Sequence, residues 1–160
     1  MNVHAFLSHR RKPRFKLPPG TCDAHCHVFG PAAKFPYAPN RRYTPEDAPK
    51  EMLAALHAHL GIERAVVVQA SCHGTDNAAM LDCIATDPKR YGRVAIVNDS
   101  FTDKDFDRLD AGGVRGVRFN FVKHLGGAPD MAVFNRVVDR INGRGWHLVL
   151  HVDRSDIIPL

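Results

Sequence analysis

The chain lacks several signatures that identify common classes of protein. No apolar run approaches the roughly 18 residues that a membrane-spanning helix requires, and the first residues do not resemble a signal peptide. The P-loop, the G-x-G-x-x-G dinucleotide fingerprint and the G-x-S-x-G turn of serine hydrolases are also missing. We therefore expect a cytoplasmic protein without a membrane partner, and no motif indicates nucleotide binding or a serine nucleophile of that kind.

Cysteine is scarce, with four residues and no C-x-x-C pair among them. This spacing does not form a disulfide framework, and in a cytoplasmic protein we expect reduced thiols. A zinc site at Cys22 and Cys26 is the less favoured alternative. The spacing of the two cysteines is poor, and His25 and His27 would face away from Cys26.

The chain has fewer acidic residues than basic ones, 17 against 22, which gives a net charge of +5. Five of the positive charges lie near the N-terminus: Arg10, Arg11, Lys12, Arg14 and Lys16. Because the remainder is close to neutral, we predict a solvated basic leader over residues 1–20 and no nucleic-acid partner. Contact of this leader with nucleic acid or an acidic surface is the alternative.

Residues 21–160 are predicted to form one domain in which strands and helices alternate. The predicted strands cover 21–28, 64–71, 93–98, 114–121 and 146–152, and their apolar composition predicts burial on both faces. The predicted helices cover 49–60, 76–86, 103–111 and 130–142, the third with Thr102 as its N-cap. This order predicts an α/β fold with a parallel sheet and right-handed crossovers.

Polar residues follow the predicted strands at their carboxyl ends. They are His25 and His27, then Ser71, His73 and Thr75, then Arg118 and Asn120, and finally His151 and Asp153. The apolar pattern is compatible with an open doubly wound sheet or with part of a (β/α) barrel. The polar clusters favour the barrel, since active sites of such barrels lie at that end.

His25 and His27 are the strongest candidates for chemistry. In an extended strand, residues two apart point to the same face, so the two imidazoles would project together. Such a pair can hold a divalent metal or polarise a bound anion. From the spacing alone, two core histidines bonded to backbone are an equal alternative.

Arg118 stands inside an otherwise apolar strand, where an unpaired charge is costly to bury. It therefore needs an acidic partner or an anionic ligand, and a carboxylate can accept two parallel hydrogen bonds from it. Ser71, before a helix start, is a second candidate for anion binding, with ordinary helix capping in this loop as its alternative. We expect His124 to lie at a pocket mouth or to be exposed on the surface, and His151 to lie at the polar end of its strand.

Three segments together resemble the amidohydrolase superfamily, in its metal-dependent-hydrolase-related branch. They read DAHCHVFGP at residues 23–31, VQASCHGTDN at 68–77 and GVRFNF at 116–121. The resemblance covers about residues 18–153. It implies a partial TIM-like (β/α)₈ barrel with about five of eight strands. The implied function is hydrolysis of a carboxylated lactone in aromatic-compound breakdown, by a water that attacks the ester carbonyl.

The resemblance also implies roles for individual residues. His25 and His27 would polarise the lactone carbonyl, while Tyr43, Ser71 and Arg118 would hold carboxylates of a small anionic substrate. His124 and His151 stand where the family pattern carries an arginine and a tyrosine, so a related lactone or another carboxylated ester is expected. Lactonases of this branch work without a metal, whereas many relatives bind zinc at the residues that match His25 and His27.

The family's later strands supply a further histidine and the aspartate that activates the water, and no segment here matches them. We therefore expect an N-terminal portion that is inactive or feeble alone, because general base catalysis is typically worth about 10² to 10⁴ in rate. Two alternatives remain. One is a non-catalytic remnant that binds small anions through Arg118 and Ser71, and the other is a split enzyme whose missing C-terminal half comes from a second chain. Self-association of the chain is a further alternative for its partner.

Overall fold

A computed structural model describes residues 10–157 of the chain. Most of the predicted basic leader can be compared with it: residues 10–20 contain no helix or strand, whereas residues 1–9 lie outside the described residues. The proposed boundary after residue 20 therefore stays a prediction. No helix in the described part of the chain has the length and apolar character needed to cross a membrane.

Five strands alternate with four helices, in the predicted order. They are β1 (Cys22–Cys26), α1 (Lys50–Leu60), β2 (Arg64–Val68), α2 (Ala78–Ile84), β3 (Tyr91–Val94), α3 (Asp103–Ala111), β4 (Gly116–Asn120), α4 (Met131–Asn142) and β5 (His147–His151). Short 3-10 turns at Ser71–His73, Lys123–Leu125 and Arg154–Asp156 follow β2, β4 and β5. The second predicted strand ends earlier than expected because the chain enters the first of these turns.

The strands are parallel and neighbour one another in sequence order. β1 pairs with β2 and β2 with β3, β4 pairs with β5, and a parallel bridge between Ala95 and Val117 links the two groups. A doubly wound sheet reverses its strand order at a switch point, which this sheet does not. The sequential order is that of a (β/α) barrel, and residues 10–157 do not close one.

The core lies between the sheet and the four helices. Val67 and Val117 of the strands and Ala95 just after β3 are fully buried, and Phe106 and Ile141 of α3 and α4 pack against this side of the sheet. Burial of such side chains is worth about 1.5–3 kcal/mol each. This apolar layer fixes the strands whose carboxyl ends carry the polar residues.

The prediction that every strand is buried on both faces is wrong for β1 and β5. Ala24 in β1 is exposed, and Leu150 in β5 is 41% exposed. Each of these strands pairs with a neighbour on one side among the described residues, so part of its surface faces solvent. The prediction holds best for β4, whose first four residues are buried.

An irregularity in β1 changes which of its side chains share a face. The register of β1 against β2 shifts between Asp23 and Cys26, so these residues, three apart, approach the same side of the strand. Asp23 Oδ2 accepts a hydrogen bond of 3.2 Å from Nε2 of His57 on α1. Regular alternation would instead have placed Asp23 beside His25 and His27.

The connection from β1 to α1 folds over the carboxyl ends of the strands and is held there by His73. The backbone N–H of Gly30 donates to Nε2 of His73 at 3.1 Å, and Nδ1 of His73 lies 3.2 Å from the carbonyl oxygen of Pro36. Gly30 has φ +66°, and a Cβ there would collide with the carboxylate of Asp47. These contacts place residues 38–44 beside the strand ends.

Helices α3 and α4 begin at capping side chains. Thr102, the predicted N-cap, forms a capping box with Asp105. Asp130 caps α4, since its Oδ1 accepts hydrogen bonds from the backbone N–H groups of Ala132 at 2.7 Å and Val133 at 3.3 Å. The negative carboxylate also complements the positive end of the helix dipole.

We expect Asp130→Ala to destabilise α4 by about 1 kcal/mol, because two backbone donors lose their acceptor. Hydrogen exchange of the backbone amides in the first turn of α4 should accelerate about fivefold at that cost. Asp139→Ala is the matched control, since Asp139 is exposed on the same helix and its carboxylate caps nothing. Equal protection in the two variants would contradict the capping role.

Candidate active site

A cleft of about 460 Å³ lies at the carboxyl ends of the strands. Its lining residues are His27, Arg42, Tyr43, Ser71, Arg118, His124, Leu125 and His151. Six of the seven predicted site residues are among them. The seventh, His25, lines a separate groove along the sheet, but its ring centroid is 5.0 Å from that of His27. The volume is in the range of small-molecule sites.

His27 is held in one orientation by the neighbouring strand. Its Nδ1 lies 2.7 Å from the carbonyl oxygen of Val68, which can only accept, so Nδ1 carries the proton. Burial lowers the pKa of His27 from its ordinary value of 6.5 to about 4, and the cation of Arg118 acts in the same direction. At neutral pH the ring is therefore uncharged, with a lone pair on Nε2.

The position of the proton on His27 does not suit its predicted role of polarising a carbonyl. Polarising a carbonyl requires a proton on the nitrogen that faces it, whereas Nε2 of neutral His27 is an acceptor. His25 has no such restriction: its ring makes no hydrogen bond to a backbone group of residues 10–157, and burial together with Arg118 lowers its pKa. The pair thus offers His27 as an acceptor and His25 as the imidazole that is free to donate.

Arg118 is a buried cation without a carboxylate partner. The residue is 6% exposed, and no carboxylate among residues 10–157 forms an ion pair with it. Its Nη2 lies 2.8 Å from Nδ1 of His151, and its Nε is buried without a hydrogen-bond partner. Burial lowers the pKa of Arg118, but a guanidinium stays charged at neutral pH. The structural salt bridge that was the alternative for Arg118 is thus missing from the described part of the chain.

Polar side chains lie in contact with one another from Arg118 to the loop after β2. Because the guanidinium only donates, Nδ1 of His151 accepts from it, and the proton of the neutral imidazole lies on Nε2. Burial, Arg118 and His124 lower the pKa of His151. Oδ1 of Asn120 lies 3.3 Å from the same Nδ1, but with this tautomer both atoms are acceptors and form no hydrogen bond; Nδ2 of Asn120 donates to Oγ of Ser71 at 3.0 Å. These contacts leave the neutral Nε2–H donor of His151 beside the fixed cation of Arg118.

Tyr43 and Arg42 reach the cleft from the β1–α1 connection. Burial, with a contribution from Cys72, raises the pKa of Tyr43 to about 12, so its hydroxyl remains protonated and can donate. Arg42 was not predicted. The only signal for it was its position next to Tyr43, because a loop carries no periodicity that would indicate where a side chain points.

The lining of the cleft contains no aspartate or glutamate. Two arginines and several neutral donors therefore face an open cleft without a counter-ion from the lining. Such an arrangement favours an anionic molecule, because a carboxylate satisfies a guanidinium with charge-assisted hydrogen bonds. The charges of this lining are suited to an anion, with the neutral imidazole of His27 beside it.

A divalent metal at His25 and His27 fits the described residues only in part. The lone pair of His27 Nε2 and the backbone bond at its Nδ1 are typical of a metal ligand. Zinc needs at least three protein ligands, however, and no third histidine, cysteine or carboxylate of residues 10–157 joins this pair. The cation of Arg118 also opposes a second positive charge there.

A different group of potential metal ligands lies on the far side of β1. Asp23, Cys26 and His57 bring their ligand atoms within 4.8 Å of one another. Burial, and then Asp23, raises the pKa of the Cys26 thiol to about 12, which disfavours the thiolate that a metal would require. The predicted alternative of zinc at Cys22 and Cys26 is not what the structure brings together, since Cys22 is exposed and outside this group.

His57 had no predicted role, yet its side chain is fully buried and bonded to Asp23. Its spacing from Leu53 and Leu60 places it on the apolar face of α1, a signal that the sequence did carry. The bond ties α1 to β1, and Oδ1 of Asp23 accepts the backbone N–H of His25 at 3.1 Å. Asp23 and His57 thus help to position the strand that carries the histidine pair.

Comparisons with known proteins identify the family of this chain. The sequence profile of the amidohydrolase family matches residues 22–159. The chain belongs to the amidohydrolase family. It is 49% identical over 149 residues to a 2-pyrone-4,6-dicarboxylate hydrolase of Comamonas testosteroni, covering 93% of this chain and 49% of that protein. It is 39% identical over 148 residues to a 4-sulfomuconolactone hydrolase of Hydrogenophaga intermedia, covering 92% and 49%.

A solved structure supports the fold assignment. The crystal structure of a probable 2-pyrone-4,6-dicarboxylic acid hydrolase from Acinetobacter baumannii, with citric acid bound, superposes with a TM-score of 0.77 and 26% identity. The match covers 88% of this chain and 52% of that one. The prediction of a partial (β/α)₈ barrel of the amidohydrolase type is confirmed. The chain spans about half the length of the curated relatives it matches.

We expect His27 to stay neutral far below the pH at which a free imidazole is protonated. Its ring signal in a proton NMR titration, assigned with His27→Gln, should move with a midpoint near pH 4. Since the unfolded chain binds a proton near pH 6.5 that the folded chain does not, this residue makes folding less favourable as the pH falls from 6.5 towards 4. A midpoint near 6.5 would contradict the buried, backbone-bonded position.

Proposed function

We propose that this chain carries the carboxylate-binding part of a lactone hydrolase active site, for a small substrate of the 2-pyrone-4,6-dicarboxylate type. The observation that carries the proposal is the buried guanidinium of Arg118, which faces a substrate-sized cleft without a carboxylate partner. A carboxylate of the substrate would supply the missing counter-charge. The names of the two relatives, both lactone hydrolases, support the same reaction class.

Each predicted residue has a role in this proposal. Arg118 binds one substrate carboxylate, and Ser71 and the Tyr43 hydroxyl lie along the same wall as further donors. The donor side of the His25 imidazole polarises the lactone carbonyl. The lone pair on Nε2 of His27 accepts a hydrogen bond from the attacking water and orients it. Neither residue has to change its charge at neutral pH, because both pKa values are lowered.

Ring opening needs a base that takes a proton from the water while its oxygen attacks the carbonyl carbon and the ester bond breaks. Neutral His27, with its low pKa, is a weak base, and no carboxylate lines the described cleft. The family resemblance assigns this role to an aspartate of a later strand. We therefore expect turnover by residues 1–160 alone to be feeble, about 10² to 10⁴ below that of a protein with the base.

His124 and His151 bear on which lactone is bound. His151 presents a neutral Nε2–H donor where the family pattern has a tyrosine hydroxyl, so a hydrogen bond at that point is preserved. The second relative is named for a lactone with a sulfonate. We therefore expect a carboxylated lactone with a different second anionic substituent to be an alternative substrate.

A second candidate function is binding of small anions without turnover, which the missing carboxylate in the cleft favours. In a split enzyme, this chain would bind the anion and another chain would supply the base. Turnover that appears only when the C-terminal half of a relative is co-expressed would support the split enzyme.

Zinc at His25 and His27 stays a prediction, and the metal content of protein purified without chelator tests it. The cytoplasmic location also stays a prediction.

We expect Arg118→Met to weaken binding of 2-pyrone-4,6-dicarboxylate by about 10- to 100-fold, since hydrogen bonds to a charged group are worth about 1.5–3 kcal/mol. The dissociation constant is measured by calorimetry. Arg115→Met is the matched control, because Arg115 precedes the same strand but pairs with Asp110 outside the cleft. Equal affinity of the Arg118 variant and the unchanged chain would overturn the proposed function.

A further inference from the structure

Arg42 is the second arginine of the cleft, and the proposed function does not use it. Its side chain lines the same space as Arg118, but the two reach the cleft from different parts of the chain. Arg118 comes from the buried strand β4, whereas Arg42 is exposed on the β1–α1 connection. The cleft therefore has a cation in its inner wall and another at its outer rim.

The guanidinium of Arg42 is free to meet a ligand. It has no hydrogen bond or ion pair with another residue of the described range 10–157, in contrast to its neighbour. Arg41 donates from Nε to Oγ1 of Thr44 at 2.7 Å and from Nη1 to the carbonyl oxygen of Ala38 at 3.0 Å. Of two adjacent arginines, one holds the loop together and the other is unpaired.

The position of Arg42 is at the mouth of the cleft. A Cβ added to Gly126, in the turn after β4, would lie 3.9 Å from Nη2 of Arg42. The side chain thus reaches from the β1–α1 connection towards the β4–α4 connection, which also carries His124. With no acidic residue in the lining, nothing in the cleft neutralises this second cation.

We propose that Arg42 forms an outer anion subsite, which binds the second anionic group of a substrate whose first anionic group Arg118 holds. Arg118 holds the inner group and Arg42 the outer one. This inference rests on the proposed function, because it assigns the outer half of the same site. The family pattern has an arginine where this chain has His124. In this chain Arg42, on the opposite side of the cleft mouth, would supply the guanidinium for the second anion.

The test compares two planar probes that differ by one carboxylate, isophthalate and benzoate. Binding of each is measured by NMR titration of the whole chain. We expect Arg42→Gln to weaken isophthalate by about fivefold, the size of a partly exposed ion pair, and to leave benzoate within about twofold. Arg118→Met should weaken both probes. Arg42→Lys, which keeps the charge, should restore part of the isophthalate affinity.

Arg14→Gln is the control for a general loss of positive charge, since Arg14 is exposed and lies outside the lining of the cleft. It should leave the ratio of the two affinities unchanged. Far-UV circular dichroism of each variant verifies that the fold is retained.

The outcomes separate the two proposals. If Arg118→Met weakens both probes but Arg42→Gln affects neither, or affects both equally, the outer subsite is overturned while the proposed function stands. If Arg14→Gln lowers isophthalate affinity as much as Arg42→Gln, the effect is one of general charge and the subsite is also overturned. If Arg118→Met changes neither probe, the proposed function itself fails.

Discussion

The buried charge of Arg118 is the constraint on which the site depends. A guanidinium at 6% exposure in the middle of a strand is unfavourable unless a counter-charge or a set of acceptors meets it. The described residues provide one acceptor, Nδ1 of His151, and no carboxylate. Because Nδ1 of His151 accepts from Arg118, the proton of the imidazole lies on Nε2. The same cation lowers the pKa values of His25, His27 and His151 and so helps to keep the site's imidazoles neutral.

The parallel sheet makes this arrangement possible. Strands in sequence order bring their carboxyl ends to one edge, so residues far apart in the chain line one cleft. The β1–α1 connection closes over this edge, because His73 and Asp47 hold it at Gly30, Ala32 and Pro36. These contacts, with the bond from the Ala38 N–H to the Cys72 carbonyl oxygen, hold the connection that carries Arg42 and Tyr43 to the cleft.

Most of the fold and much of the site could be predicted from the chain alone. Strand and helix alternation follows from apolar periodicity, and the polar residues that end β1, β2, β4 and β5 mark the edge where the site lies. The predictions failed where long-range packing decides. The shifted register of β1 turned Asp23 towards His57, and one-sided pairing left β1 and β5 more exposed than their apolar composition indicates.

The sequence by itself determined the family, the order of the elements and the identity of the arginine and histidines at the strand ends, because these are written in local pattern and motif. Only the tertiary structure decided the proton positions and the second cation. The carbonyl of Val68 sets the tautomer of His27, Arg118 sets that of His151, and the loop over the strand ends brings Arg42 to the mouth. These are contacts between segments that are distant in the chain, and no local pattern encodes them.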